Sequence, residues 1–165
     1  MNPTAKLTEL MDAIEFDSEE LDSYFDRETG RIVRLDQSLM NAVEEGRGEE
    51  LEDLPAWQQD DIEVAKTIVD ARAGRFINPP DKFEFHEYRH MQRFIDSLDD
   101  AKAAEQLDRA IHGRGAFRFF KDTLYRLGIQ DQWYRYRDEA IKRFVIEWAE
   151  ANNVPYEDDT KKRKP

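Results

Sequence analysis

No cysteine occurs among the 165 residues. Disulfide staples, thiolate nucleophiles and cysteine-based zinc ribbons are therefore excluded. Zero cysteines fit a cytoplasmic location without establishing one. Apolar runs are short, and none approaches the ~18 residues of a membrane-spanning helix. The N-terminal stretch Met1–Lys6 has no apolar segment of the signal-peptide kind. Histidine occurs three times, which leaves little imidazole for a metal site. Enzyme signatures are also missing. There is no phosphate-binding G-x-x-x-x-G-K-[ST] loop, no strand-linked G-x-G-x-x-G and no G-x-S-x-G elbow. No internal repeat or low-complexity linker divides the chain, so it reads as one domain over 1–155 with a disordered charged tail over 156–165.

What the chain has in quantity is charge, and it is uneven. Net charge is −12. Residues 1–100 hold 11 Lys/Arg against 26 Asp/Glu, whereas residues 101–165 hold 14 against 11. Hydrophobic residues at 39% and aromatics at 12% still suffice for a packed core. Overall acidity repels polyanions beyond a Debye length. A local basic face can act at shorter range.

Periodicity predicts an α+β fold with a small antiparallel N-terminal sheet and a helical body of about six helices. Leu7, Leu10, Met11 and Ile14 repeat at helical spacing, with Thr4 as expected N-cap. Tyr24-Phe25-Asp26 and Arg31–Leu35 flank a turn ending at Gly30, which reads as a hairpin with a left-handed glycine. Residues 44–53 read as a solvated loop or the end of a short helix. Pro55 opens a helix with an apolar side of Trp57, Ile62, Ala65, Ile68 and Val69. Arg75–Asn78 before two prolines reads as a third, edge strand. From Glu84 the chain is expected to be wholly helical. Tyr88, Met91, Phe94, Ile95 and Leu98 form one stripe, and a Ser97-x-x-Asp100 start leads into Ala104, Leu107 and Ile111. Phe117, Phe120, Leu124 and Leu127 form the next stripe, closed by Gly128. Trp133, Ala140, Ile141, Phe144 and Trp148 carry the last helix.

These pieces resemble a bacterial family known as the uncharacterised protein family UPF0158. The matching segments are Asp12-Ala13-Ile14-Glu15, Thr29-Gly30, Leu54-Pro55-Ala56-Trp57-Gln58, His86-Glu87-Tyr88 with Met91 and Phe94, the block Ala110–Asp122, and Trp133 with Trp148. They span about residues 7–150. Phe119 departs from the pattern, where a second basic residue is expected, and this thins any charge-based site. The resemblance implies a small intracellular bacterial protein and brings no catalytic residues.

Three constellations carry chemistry. His86-Glu87-Tyr88-Arg89-His90 spells the H-E-x-x-H of zinc peptidases. On a helical wheel, however, both histidines fall beside the apolar stripe rather than into a cleft. Zinc as cofactor and zinc-dependent hydrolysis through His86, Glu87 and His90 therefore stand as the rival to partly exposed histidines without a metal. The bracket Gly113-Arg114-Gly115 opens a helix bearing Arg118 and Lys121, and exposed backbone N–H groups there suit an anion. The plainer reading makes Gly113 a helix C-cap and Gly115 a close-packing point, and pairs the cations with the acidic half of the chain. Arg137 sits within the apolar stripe of the last helix and needs a partner, with Asp108 or Asp122 the expected one, or else joins the anion corner.

Taken together, the residues point to a non-enzymatic, cytoplasmic interaction protein with a protein partner and an anion-binding corner at Gly113, Arg114, Gly115, Arg118, Lys121 and Arg137. Nucleic-acid binding through residues 109–143 is the alternative, since nine Lys/Arg and four acids lie there with Phe119, Tyr125, Tyr134 and Tyr136 among them. Overall acidity counts against it, as does the expectation that most of these aromatics are core. No membrane partner is expected.

Overall fold

The computed structural model describes residues 3–16, 20–71 and 74–160. In chain order the elements are β1 (Ala5–Lys6), α1 (Leu7–Glu15), β2 (Leu21–Asp26), β3 (Arg31–Asp36), α2 (Gln37–Glu44), α3 (Gly48–Glu52), α4 (Ala56–Asp70), β4 (Phe76–Ile77), α5 (Lys82–Phe85), α6 (Glu87–Ser97), α7 (Ala101–Ala110), α8 (Ala116–Leu127), α9 (Gln130–Ala151) and β5 (Tyr156–Glu157). The fold is α+β. Its antiparallel sheet has the order β3-β2-β4, so the third strand lies at an edge as the prolines require. The chain divides into two compact units, Met1–Asp81 with Val145–Pro165, and Lys82–Phe144.

In the first unit the hairpin pairs Leu21 with Asp36 through to Asp26 with Arg31. Both strands are longer than the apolar runs suggest, because Asp22 and Asp36 sit at paired positions. Gly30 takes φ +71° and its N–H reaches the Asp26 carbonyl at 2.8 Å. Asp26 also anchors the neighbouring strand. Arg75 donates through Nε to Asp26 Oδ1 at 3.1 Å and through Nη2 to Oδ2 at 3.2 Å, and stacks over the Phe76 ring at 4.8 Å.

Burial pushes the Asp26 carboxyl up, but hydrogen bonds from Arg75 and the Glu28 N–H outweigh that and hold it below the usual carboxylate range. A depressed native value contributes stability that is fully present above about pH 4 and is lost as pH falls through the native value. Asp26→Asn should therefore lose about 2 kcal/mol at neutral pH. The difference from the parent protein should shrink on acidification, as measured by urea unfolding from pH 7 to pH 3. A constant difference across that range would refute the assignment.

Several local expectations are corrected. Thr4 does not cap α1. Ala5 and Lys6 instead pair in parallel with Tyr156 and Glu157, and the helix starts at Leu7. Its orphan amide at Thr8 is met from far along the chain, with Thr8 N–H reaching Asp159 Oδ1 at 2.9 Å and the Thr8 hydroxyl reaching Oδ2 at 2.5 Å. Of the residues expected as a tail, Tyr156–Thr160 are thus placed, and the Lys161–Lys164 run lies outside the described residues. Periodicity does not predict α2. Asp36 caps it, accepting from Ser38 N–H and Leu39 N–H, and Leu39 and Met40 are buried with Leu35, Ile62 and Ala65. Trp57 is not core but 72% exposed, because it lies in the first turn of α4, away from Ile62 and Ala65.

In the second unit Met91, Phe94, Ile95, Leu107, Ile111, Phe120, Leu124 and Trp133 form the core. The stripes of α6 and α7 supply it as periodicity predicts, whereas of the residues predicted for α9 this core takes Trp133, and the other buried positions of that helix are Ile141, Val145 and Ala149 rather than Ala140, Phe144 and Trp148. Gly128 closes α8 at φ +72°. The helix expected from Glu84 is instead broken at His86, where the backbone turns left-handed at φ +54°. Asp100, not Ser97, caps α7, accepting from Lys102 N–H and Ala103 N–H, while the Ser97 hydroxyl donates back to the Phe94 carbonyl. Phe117 is half exposed at 49% although it lies nearly in line with the buried Leu124, and the buried positions of α8 are Phe120, Thr123 and Leu124.

Candidate functional site: a cationic cleft beside α8

α7 and α8 pack against each other, and Gly113-Arg114-Gly115 joins them. Ile111 is the C-cap of α7, so Gly113 lies beyond the cap, at φ +118°. Gly115 is the N-cap of α8 at φ +73°. A Cβ at Gly113 would meet nothing, and one at Gly115 only the Phe119 ring at 3.3 Å. Neither glycine serves a close helix approach. Their positive φ values reverse the chain tightly and leave Arg114 exposed at the bend.

Beside this bend lies a cleft of about 780 Å3 between the two helices. Its wall carries four cations, Lys102, Arg109, Arg114 and Arg126, against one carboxylate, Glu105. Glu105 is held by Arg109 one helical turn on. Arg126 donates to the neutral Gln106 Oε1 at 2.9 Å, so its charge is not cancelled. Lys102 and Arg114 have no ion pair among the described residues. His112 stands at the rim with Nδ1 2.6 Å from the Asp108 carbonyl. Phe119 lines the same wall, at the position expected to thin the charge of the site.

The sequence-derived candidates divide. Arg114 lines the cleft. Arg118 and Lys121 lie on the adjoining solvent face of α8, exposed and without an ion pair among the described residues. They do not make the expected pairs with the acidic half of the chain. Arg137 is elsewhere engaged. Its Nε donates to Glu87 Oε1 at 2.5 Å, both side chains largely buried, so Glu87 rather than Asp108 or Asp122 is its partner. Sequence reasoning does not single out Lys102, Arg109 and Arg126 together. The one signal for them is the seven-residue spacing of Lys102 and Arg109, which puts both on one face of α7.

The H-E-x-x-H segment takes a different geometry from a zinc helix. His86 precedes α6 in the left-handed region, Glu87 is bound to Arg137, and the His90 ring stacks on Phe85 at 4.2 Å. Burial, reinforced by the Arg93 charge, holds His90 below the ordinary imidazole range. Among the described residues no group of three or more His, Asp or Glu side chains is placed to hold a metal ion. No helix among them is long and apolar enough to cross a membrane.

Comparison with known proteins agrees with the segments that carry the resemblance. The model of the uncharacterised protein family UPF0158 matches residues 1–161. The chain belongs to the UPF0158 family. A UPF0158 protein of Pseudomonas aeruginosa is 33% identical over 66 residues, which is 39% of this chain and 42% of that relative. The chain thus spans less than half the length of this curated family member. No solved structure matches.

Proposed function

We propose that this UPF0158 protein is a non-enzymatic binding protein of the bacterial cytoplasm, and that the α7–α8 cleft receives an anionic group of its ligand. The observation that carries this reading is the set of four cations around one cleft with a single carboxylate, in a chain whose net charge is −12. Cations in an acidic protein are ordinarily neutralised by nearby carboxylates. Here Lys102 and Arg114 are not, among the described residues, and Arg126 is turned to an amide. The cleft wall and its arginines suit a phosphate or carboxylate, for which guanidinium offers paired donors.

Titration of isotope-labelled protein with inorganic phosphate and pyrophosphate tests this. Amide shifts confined to the 102–126 region are expected, with affinity on the order of 1 mM for phosphate. They should vanish in Arg114→Ala/Arg126→Ala, whose circular-dichroism spectrum should match the parent. Shifts spread evenly over the molecule, or unchanged in the variant, would refute the cleft. Zinc hydrolysis, the rival class, predicts stoichiometric zinc in untagged protein, lost together with an activity in His90→Ala.

A further inference from the structure

The solvent face of α8 is unusual for an exposed helix. Its buried residues are Phe120, Thr123 and Leu124. Among the remaining positions, Phe117, Phe119 and Tyr125 are 49%, 54% and 62% exposed. Large aromatics are ordinarily placed in cores, where burial of each contributes about 1.5–3 kcal/mol. Three left in solvent on one helix need a reason. Between them stand Arg118, Lys121 and Arg126, with Asp122 the one acid of α8. Cations and aromatics thus alternate around the exposed face, and the cleft continues it past Phe119 to Arg114.

We propose that this face binds single-stranded nucleic acid, with the backbone phosphates on Arg114, Arg118, Lys121 and Arg126 and unstacked bases against Phe119 and Tyr125. The proposal rests on the anion-binding reading of the cleft and names its ligand. The chemistry needs both features. Cations alone would suit any polyanion, and aromatics alone any apolar partner. Interleaved, they match a strand that presents a charged backbone and flat bases in regular alternation. Phe119 and Tyr125 are six residues apart, about 9 Å along the helix axis and about 120° around it, with Asp122 between them. A strand that touches both must cross the helix obliquely, with its bases splayed rather than stacked on one another. A duplex hides its base faces and loses this contact, so single strands are selected. The acidity of the chain as a whole opposes long-range attraction, so the contact acts at short range and favours short or looped strands.

Sequence periodicity assigns Phe117 to the core and gives no exposure for Phe119 or Tyr125. Their exposure removes the objection that such aromatics are core residues. Tyr134 is also exposed, at 42%, whereas Tyr136 packs against the core and takes no part.

Fluorescence anisotropy with labelled oligonucleotides of about 12 residues tests the proposal. Arms of single-stranded RNA, single-stranded DNA of the same sequence, duplex DNA and poly-glutamate separate the ligand classes. Both single strands are expected to bind at least tenfold more tightly than the duplex or poly-glutamate, and a preference between them identifies the sugar that is read. Four phosphate contacts predict a log–log salt slope of about −3. Phe119→Ala/Tyr125→Ala should weaken binding at least tenfold and leave that slope unchanged, whereas Phe119→Tyr/Tyr125→Phe should retain it. Arg118→Ala/Lys121→Ala should flatten the slope by about 1.4. Equal binding of poly-glutamate that ignores the aromatic variants would overturn the proposal in favour of an acidic protein partner. Phosphate shifts in the cleft without oligonucleotide binding would overturn it and leave the anion-binding reading standing. Neither response would overturn both.

Discussion

Trp133→Ala is expected to cost about 3–5 kcal/mol and to lower the thermal midpoint of the 82–144 unit by on the order of 10 °C. The indole is only 2% exposed. It is packed edge-on against Phe94 at 5.3 Å and Phe120 at 5.0 Å, with Tyr136 stacked near it at 6.3 Å. One side chain from α9 thereby ties α6 and α8 into the same core. Its removal takes away the transfer energy of a large aromatic and three ring contacts, and the surrounding rings cannot close the space without leaving their rotamers. Near-ultraviolet circular dichroism followed through thermal unfolding measures it. A midpoint within about 2 °C of the parent would show that Trp133 is not the centre of that core. Trp133→Phe should recover more than half of the loss, since it keeps an aromatic edge among the rings.

Gly30→Ala is expected to cost about 3 kcal/mol. About 1–2 kcal/mol arises from forcing an L side chain into the left-handed region at φ +71°. The remainder is steric. A Cβ at Gly30 would lie 2.8 Å from the Thr4 carbonyl oxygen and 3.1 Å from its carbon. Those are backbone atoms, and the next residue is held in place by the Ala5 N–H donating to the Pro155 carbonyl at 2.8 Å. The segment therefore cannot yield without disturbing β1 and β5. Gly30→Asn separates the two causes, because asparagine tolerates the left-handed conformation but carries the same Cβ. Urea unfolding should rank the parent above Asn and Asn above Ala. Asparagine equal to the parent would mean that Thr4 moves freely and that the conformation alone sets the cost.

The local periods of the chain are legible in its sequence alone. The hairpin around Gly30, the edge strand ahead of the prolines, the stripes of α6 and α7, and the Gly128 stop all follow from backbone geometry, since a 3.6-residue or two-residue repeat of apolar positions is written directly in the sequence. Membership of UPF0158 is legible for a similar reason, through contiguous blocks such as Ala110–Asp122. Part of the candidate site is visible too. Gly113-Arg114-Gly115 announces an exposed arginine, because two glycines can reverse a chain that a helix cannot continue.

Contacts between distant residues are settled only by tertiary structure. Nothing local marks Asp159 as the cap of the Thr8 amide, or Glu87 as the partner of Arg137 50 residues away. Lys102 and Arg126 share a cleft only because α7 and α8 fold back on each other across the glycine bend. Phe117 has the spacing of a core residue and Trp57 the character of one, yet both face solvent. An apolar stripe is wider than the surface its neighbours can cover, and which of its members are covered depends on where the next helix crosses. Sequence by itself determined the α+β class, the central hairpin, most of the helices and the family. The crossing of the helices decided which aromatics stay exposed and which cations have no ion pair among the described residues, and the proposed site is made of those residues.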